Sequence, residues 1–371
     1  MKRLFLCFVA LFGLFLQVSY AQDPSALEAL RSEGFDIVNI ENDGVRRYLD
    51  DTSYDNPATL AKYNISCVAN YARGFGSRPS GYRVSWTNRV PPEMIDDVVI
   101  KVCEDEKFKH GVRTYYPDSD STSYVICNMK PGAKYYYRVV EVRKDGARKI
   151  IHKGKFFTTG RVRMLRVDGM YNVRDFGGWP TSNGKKTRFG RVFRGNRPEG
   201  ITSIGKHDFV RNERITADLD LRGTNLGVSP LGPIDKVEYY VTSNQRYKLA
   251  LTSSTRALAT DLHVIADVLS RGGSVFIHCN HGVNRCGTLS FLLGGIIGLS
   301  EADLCRDYEL SAFAYRGVCR TGSYASMLDV IRLHGDAGDD LTECFHNYCR
   351  SIGVSDEDLK VICREMQTSR D

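Results

Sequence analysis

Three textures of hydrophobic and polar positions follow one another along the chain. Leu4 to Leu16 is an apolar run, preceded by Lys2 and Arg3 and followed by Ser19-Tyr20-Ala21. A basic start, a short apolar stretch and small residues at a cleavage point make residues 1–21 a secretory signal peptide. The run falls short of the roughly 20 residues that a bilayer-spanning helix needs. The later apolar stretch Leu289 to Leu299 is short and interrupted by Gly294, Gly295 and Gly298. Export to the periplasm or beyond, with no transmembrane segment, is therefore expected. Residues 22–57 are polar and acidic; one short helix is predicted at Pro24 to Leu30, and nothing in this leader assigns it a role.

From 58 to 160 the pattern alternates with period two, in Tyr82-Arg83-Val84-Ser85-Trp86, Val98 to Cys103, Ala133 to Val142 and Lys149 to Thr158. Half-buried strands read this way, and Lys144-Asp145-Gly146-Ala147 supplies a hairpin turn between the last two. Two such sheets predict an all-β sandwich. From 161 to 371 strands and helices alternate: Ile215 to Leu221, Lys236 to Val241, a helix from Leu249 to Leu269, and the buried strand Val275 to Ile277. This order predicts an α/β domain with a mainly parallel central sheet flanked by helices and a site beyond the strands' carboxyl ends. The chain is thus expected to be multidomain.

At that position stands His278-Cys279-Asn280-His281-Gly282-Val283-Asn284-Arg285, a polar loop running into an apolar helix that begins near Cys286. A strand-to-helix turn presents unpaired backbone N–H groups and the positive end of a helix dipole, which together cradle an anion. A thiol at the mouth of such a cradle has a lowered pKa and attacks as the thiolate. An arginine at the far end offers a planar fork for two phosphate oxygens. The chemistry implied is phosphoryl transfer to sulfur, with Cys279 as nucleophile and Arg285 as the phosphate clamp. Asn280, His281, Gly282, Val283 and Asn284 would line the bound phosphate, and no metal or cofactor is needed.

The loop resembles the signature of the cysteine-dependent protein tyrosine phosphatase superfamily. Asn172-Val173-Arg174-Asp175-Phe176-Gly177-Gly178, Asp220-Leu221-Arg222 and Asp307-Tyr308-Glu309-Leu310-Ser311 extend the likeness to its bacterial tyrosine and lipid phosphatase branch, over about Met164 to Met366. The resemblance implies that His278 orients the loop, that Cys286 supports it, and that Arg194 and Arg222 reach the phosphate or brace the loop. It also implies phosphotyrosine as the default substrate. A phosphorylated protein, a phosphoinositide lipid or an inositol phosphate are the substrate classes in view, and a phosphate-binding domain without turnover is the alternative of another class. Met129 to Val139, with Phe156-Phe157-Thr158-Thr159, resembles a fibronectin type III domain, which implies a spacer or a module that contacts a protein or a glycan.

Two positions depart from the branch. Lys and Asp commonly precede the loop arginine, and that Asp protonates the leaving oxygen; this chain has Val283 and Asn284, and an amide donates no catalytic proton. Asp220, Asp235, Asp261 and His281 are the nearby groups, and none is singled out. Cys286 replaces the usual Ser or Thr, exchanging a hydroxyl donor for a weaker thiol, and a reversible disulfide with Cys279 is a second reading of it.

Composition changes this picture little. The net charge of +7 includes Lys2 and Arg3; it suits an acidic substrate, and no dense basic run with interleaved aromatics points to nucleic acid. Of 11 cysteines, Cys7 lies in the signal segment. The others show no paired Cys-x-x-Cys spacing, so a structural metal site is not expected. Their pairing stays open, with Cys103 to Cys127 one cross-strand guess.

Overall fold

The computed structural model describes residues 23–51, 68, 71–72, 78–232, 236–314, 321–336 and 338–368. The signal segment, Cys67, Cys319 and Asp235 lie outside these residues. The chain divides into two compact units: residues up to Glu41 with Ser80–Arg161, and Asn42–Pro79 with the chain from Val162 onward. The leader is thus shared between them.

In the first unit, helix α1 (Pro24–Ser32) begins with a proline and is capped by Asp23, whose carboxylate accepts the Ser25 N–H at 2.9 Å. Such a cap satisfies a donor that the helix cannot. Strands follow as β1 (Asp36–Asn39), β2 (Tyr82–Ser85), β3 (Ile95–Cys103), β4 (Arg113–Tyr115), β5 (Ser123–Ile126), β6 (Lys134–Arg143) and β7 (Arg148–Thr159). One sheet has the order β1-β7-β6-β3-β4, and β2 pairs with β5 in a second. Val84 and Ile126 from the smaller sheet, with Trp86 just past β2, share one core with Val98, Ile100, Val102, Tyr137, Val139 and Phe156 from the larger. The first part of the leader, expected to stand apart from the sandwich, joins this unit with the short helix expected of it. Leu30 of α1 and Phe35 bury against Phe157, and this seats β1 beside β7 in parallel, so the unit carries a helix and the sheet is mixed. The guessed Cys103–Cys127 bond is also corrected. Both are free thiols. β3, which ends at Cys103, pairs with β4 and β6, whereas Cys127 follows β5 in the other sheet.

The second unit contains α2 (Asp43–Asp50), β8 (Arg163–Met164), β9 (Arg174–Asp175), β10 (Val192–Gly195), α3 (Ser203–Lys206), β11 (Ala217–Asp220), β12 (Glu238–Val241), α4 (Tyr247–Ser253), α5 (Thr255–Ser270), β13 (Val275–His278), α6 (Asn284–Ile296), α7 (Glu301–Glu309), α8 (Thr321–Arg332), α9 (Leu341–Ser351) and α10 (Asp356–Met366). Its sheet runs β12-β11-β13-β10-β9-β8. The first four strands are parallel, while β9 and β8 are antiparallel. The expected mainly parallel sheet is therefore mixed, because the short β8 and β9 close one edge by pairing antiparallel. The predicted helix from Leu249 breaks at Ser254 into α4 and α5. Among the described residues no helix is long and apolar enough to cross a membrane.

β13 sits between β11 and β10 and is buried on both faces. Val275 and Ile277 face a cluster with Leu258, Leu262, Leu289 and Leu292. Phe276 faces the other side, packed edge-on to Phe209 at 5.0 Å between ring centres. Opposite facing of successive residues is the pleat, and here both faces are core. Phe276→Ala should lower the unfolding free energy by about 3–5 kcal/mol, measured by urea denaturation. A loss below about 1 kcal/mol would mean that the β13 face bearing Phe276 is loosely packed.

Candidate active site

The loop leaves β13 at His278 and enters α6 at Asn284. Gly282 makes the turn possible. Its φ is +70°, and a Cβ there would lie 2.4 Å from the Gly195 carbonyl carbon at the end of β10. Only glycine combines that backbone with so close an approach. Cys279 is 5% exposed. Its thiol is held well below the usual range, first by the Cys286 thiol that donates to it, against the opposing effect of burial, and then by the N–H groups of Cys286, His281 and Gly282. Burial and the neighbouring Cys279 push the Cys286 thiol well up, so it keeps the proton it donates. The Cys286 sulfur also lies 3.8 Å from the Ile277 carbonyl and 3.9 Å from the Gly195 carbonyl, acceptors that share its proton. Both sulfurs are free thiols here.

Beneath the loop lies a network of buried charge. Arg194, fully buried, pairs with Asp307 and donates to the carbonyls of Gly282 at 3.0 Å and Val283 at 3.4 Å. It braces the loop from below, one of the two roles expected of it. Arg174 shares the same Asp307 and also donates to the Asn172 side chain at 2.7 Å. Asn172, with φ +54°, in turn donates to the His281 carbonyl at 2.9 Å. Gly287 opens the way for this packing, since a Cβ there would meet the Tyr308 ring at 2.7 Å.

His278 does not hydrogen-bond the loop. Its ring stacks on Phe276, with Nε2 3.0 Å from Asp218 and 3.9 Å from Asp220, near enough to pair as ions though poorly aligned for a hydrogen bond. Burial opposes the ring's charge, but Asp218 and then Asp220 outweigh it and raise the pKa. Arg222 is likewise occupied, with two bonds to Asp220 at 2.8 and 2.7 Å and one to Glu199 at 2.6 Å. In this arrangement it stabilises the strand end.

On the open side, Asn280 and His281 are exposed. His281 Nδ1 lies 2.7 Å from the Tyr171 hydroxyl, and the two rings stack at 6.3 Å. Val283 turns its side chain into a small apolar cluster with Tyr308, Tyr247 and Ala312, so only its backbone serves the loop. Arg285 donates through Nε to the Asn244 carbonyl at 3.0 Å. Asn284 accepts from the Tyr247 hydroxyl, which lies 2.7 Å from the Tyr308 hydroxyl.

The carboxylates considered as acids are used elsewhere. Burial pushes Asp220 up, yet Arg222 and His278 outweigh it and hold the carboxyl below its ordinary range. Asp261 is fully buried, with its oxygens taken by Thr242 and Asn244 at 2.6 Å each, and burial pushes it up to about 7. Tyr247, Asn244, Tyr171 and Asp307 carry roles that spacing alone does not expose; only Asp307 lay within a motif.

A sequence model described as the tyrosine phosphatase family matches residues 165–366. The chain belongs to the tyrosine phosphatase family. It is a phosphoric monoester hydrolase. Among solved structures, this phosphatase is similar to P. aeruginosa TpbA at 14% identity, over 44% of this chain and 88% of that one, with a TM-score of 0.31. A cysteine-to-serine variant of TpbA in complex with pTyr gives 14% identity, 49% and 97% coverage and a TM-score of 0.31. The core catalytic domain of the S. cerevisiae PP-IP phosphatase SIW14, in complex with citrate, gives 15%, 40% and 85%, and again 0.31. No curated protein matches the sequence.

Two predictions follow from the charges around the phosphatase loop. Cys286→Ala removes the foremost donor to Cys279, so the acidic limb of the kcat/KM profile should move to higher pH, while Cys286→Ser should restore it. Iodoacetamide alkylation rates against pH read the same shift, and an unmoved limb would show that the backbone donors suffice. Asp261 has a folded pKa raised from 3.8 to about 7. Its contribution to stability is therefore complete below about pH 4 and lost as pH rises through about 7. Asp261→Asn should flatten that part of the curve, as read by the difference in unfolding free energy between wild type and variant from pH 4 to 8.

Proposed function

We propose that the phosphatase works through a phosphocysteine on Cys279, with phosphotyrosine as its first substrate class. One observation carries the reading: the buried Cys279 stands at a strand-to-helix turn whose His281, Gly282 and Cys286 groups hold its thiol pKa down, six residues ahead of an arginine anchored from behind. The thiolate attacks phosphorus, and the loop N–H groups and Arg285 hold the equatorial oxygens, whose charge the dipole of α6 also favours. Water then hydrolyses the S–P bond. His281 and Tyr171 stand at the exposed rim, where a ring such as that of phosphotyrosine would pass.

The segment at 1–21 is proposed to direct export, on the strength of its basic start, apolar run and small-residue cleavage point. The first unit is proposed to be a fibronectin type III-like module that contacts a protein or a glycan, a reading supported by its two sheets around one core and the stretch from Met129 to Val139.

A turnover panel of phosphotyrosine peptides, phosphoinositides and inositol hexakisphosphate, run under reductant, tests the activity. Phosphotyrosine should be hydrolysed fastest, Cys279→Ser should give no turnover, and Arg285→Ala should lose about a thousandfold or more, as removal of a main transition-state donor does. Acid quench with labelled substrate should trap the phosphoenzyme. Hydrolysis surviving in Cys279→Ser would reject the mechanism, and preference for the inositol phosphate would reassign the substrate.

A further inference from the structure

Breaking the ester leaves an oxygen that needs a proton, and Asn284 cannot supply one. Asp220 is committed to Arg222, and Asp261 is sealed behind Asn244 with both oxygens occupied. A hydroxyl does meet the Asn284 side chain, and it belongs to Tyr247. The half-buried Tyr247 is held at several points. Its hydroxyl contacts that of Tyr308 at 2.7 Å, its N–H donates to the Thr288 side chain at 2.9 Å, and its φ is +56°. A bulky residue in the left-handed region is strained and persists only where its surroundings impose it. The same segment reaches the loop a second time, three residues earlier, where the Asn244 carbonyl accepts from Arg285. Asn284 and Arg285, neighbours in sequence, are therefore both tied to residues 244–247. Arg285 is the residue that would hold the transferring phosphoryl group, so the hydroxyl that meets Asn284 belongs to the segment that also anchors that arginine.

We propose that Tyr247 is the catalytic acid of this phosphatase, donating its hydroxyl proton to the leaving oxygen. The proposal rests on the phosphocysteine reading above. As the Cys279 sulfur bonds to phosphorus, the ester P–O bond breaks and the bridging oxygen takes the Tyr247 proton. The Tyr308 hydroxyl donates to the tyrosinate left behind. Water next attacks the phosphocysteine and passes its proton to Tyr247, the S–P bond breaks, and inorganic phosphate and the thiolate are restored. Donor and leaving group are both phenols when the substrate is phosphotyrosine, so the transfer costs little driving force. Asn284 has the complementary role of an acceptor that orients the hydroxyl before substrate arrives.

The test compares phosphotyrosine with 2,4-dinitrophenyl phosphate, whose acidic phenol departs without a proton. Tyr247→Phe should lower kcat/KM about 100-fold on phosphotyrosine, the usual scale for a catalytic acid, and much less on the dinitrophenyl ester. Adding Asn284→Asp to that variant places a carboxyl at the same point and should recover at least about tenfold on phosphotyrosine. A fluorinated tyrosine at 247 keeps the ring and its contacts while making the phenol more acidic, so the alkaline limb of the phosphotyrosine pH profile should move to lower pH. Equal losses on the two esters in Tyr247→Phe, or an unmoved limb with the fluorinated residue, would overturn the proposal and leave the thiolate mechanism standing. A wild-type protein inactive on both esters would overturn the two together.

Discussion

A thiolate out of contact with water is costly unless donors surround it, and that constraint shapes the second unit from the loop outward. The Cys279 sulfur is met by the Cys286 thiol and the N–H groups of His281, Gly282 and Cys286. Aiming these at one point requires the sharp turn at Gly282, which brings the loop down onto the end of β10. It also requires a rigid strand beneath and a helix beyond, which β13 and α6 provide. The donors that stabilise sulfur before reaction are close to those that would bind phosphate oxygens during it, so the cradle is formed before substrate arrives.

The loop's outward carbonyls need partners as well, and Asp307 organises them. Its carboxylate holds Arg174 and Arg194, and Arg194 passes hydrogen bonds to Gly282 and Val283. Neighbours of Asp307 extend the arrangement: Tyr308 contacts Tyr247, the buried Glu309 accepts from Tyr48, and Ser311 accepts from Arg174. One helical turn thus ties together β9, β10, α2, α4 and the loop. Removing one member of such a buried network leaves an uncompensated charge, which costs far more than the pair contributes when intact.

Legibility in the sequence follows the range of the interaction. β13, the loop, the start of α6 and the alternating strands β2, β3, β6 and β7 could be read because each depends on local periodicity or on a motif within eight residues. Arg194 and Arg222 were visible as arginines after strands, but their partners were not. Asp307 is 113 residues from Arg194, and no spacing rule shows whether a guanidinium faces substrate or a buried carboxylate. The parallel seat of β1 against β7 depends on Phe35 meeting Phe157 across the unit, and the break at Ser254 within an otherwise continuous apolar pattern is equally non-local. Tyr247 is not legible in the sequence because its contacts lie 37 and 61 residues away and its backbone conformation is one that composition does not announce.

The two departures at Asn284 and Cys286 fit one helical geometry. Residues two apart on a helix point about 200° apart, since each step turns roughly 100°. Cys286 accordingly meets Cys279 while Asn284 meets Tyr247, and Arg285 lies between them in sequence. The thiol keeps the donor role at sulfur, because a proton held on one buried sulfur can stabilise the charge on the other. The amide cannot give up a catalytic proton, but its oxygen presents an acceptor for the Tyr247 hydroxyl. On the proposed mechanism a change at one of these positions leaves the other intact, so thiolate and acid could vary separately while Arg285 and the backbone cradle stay in place.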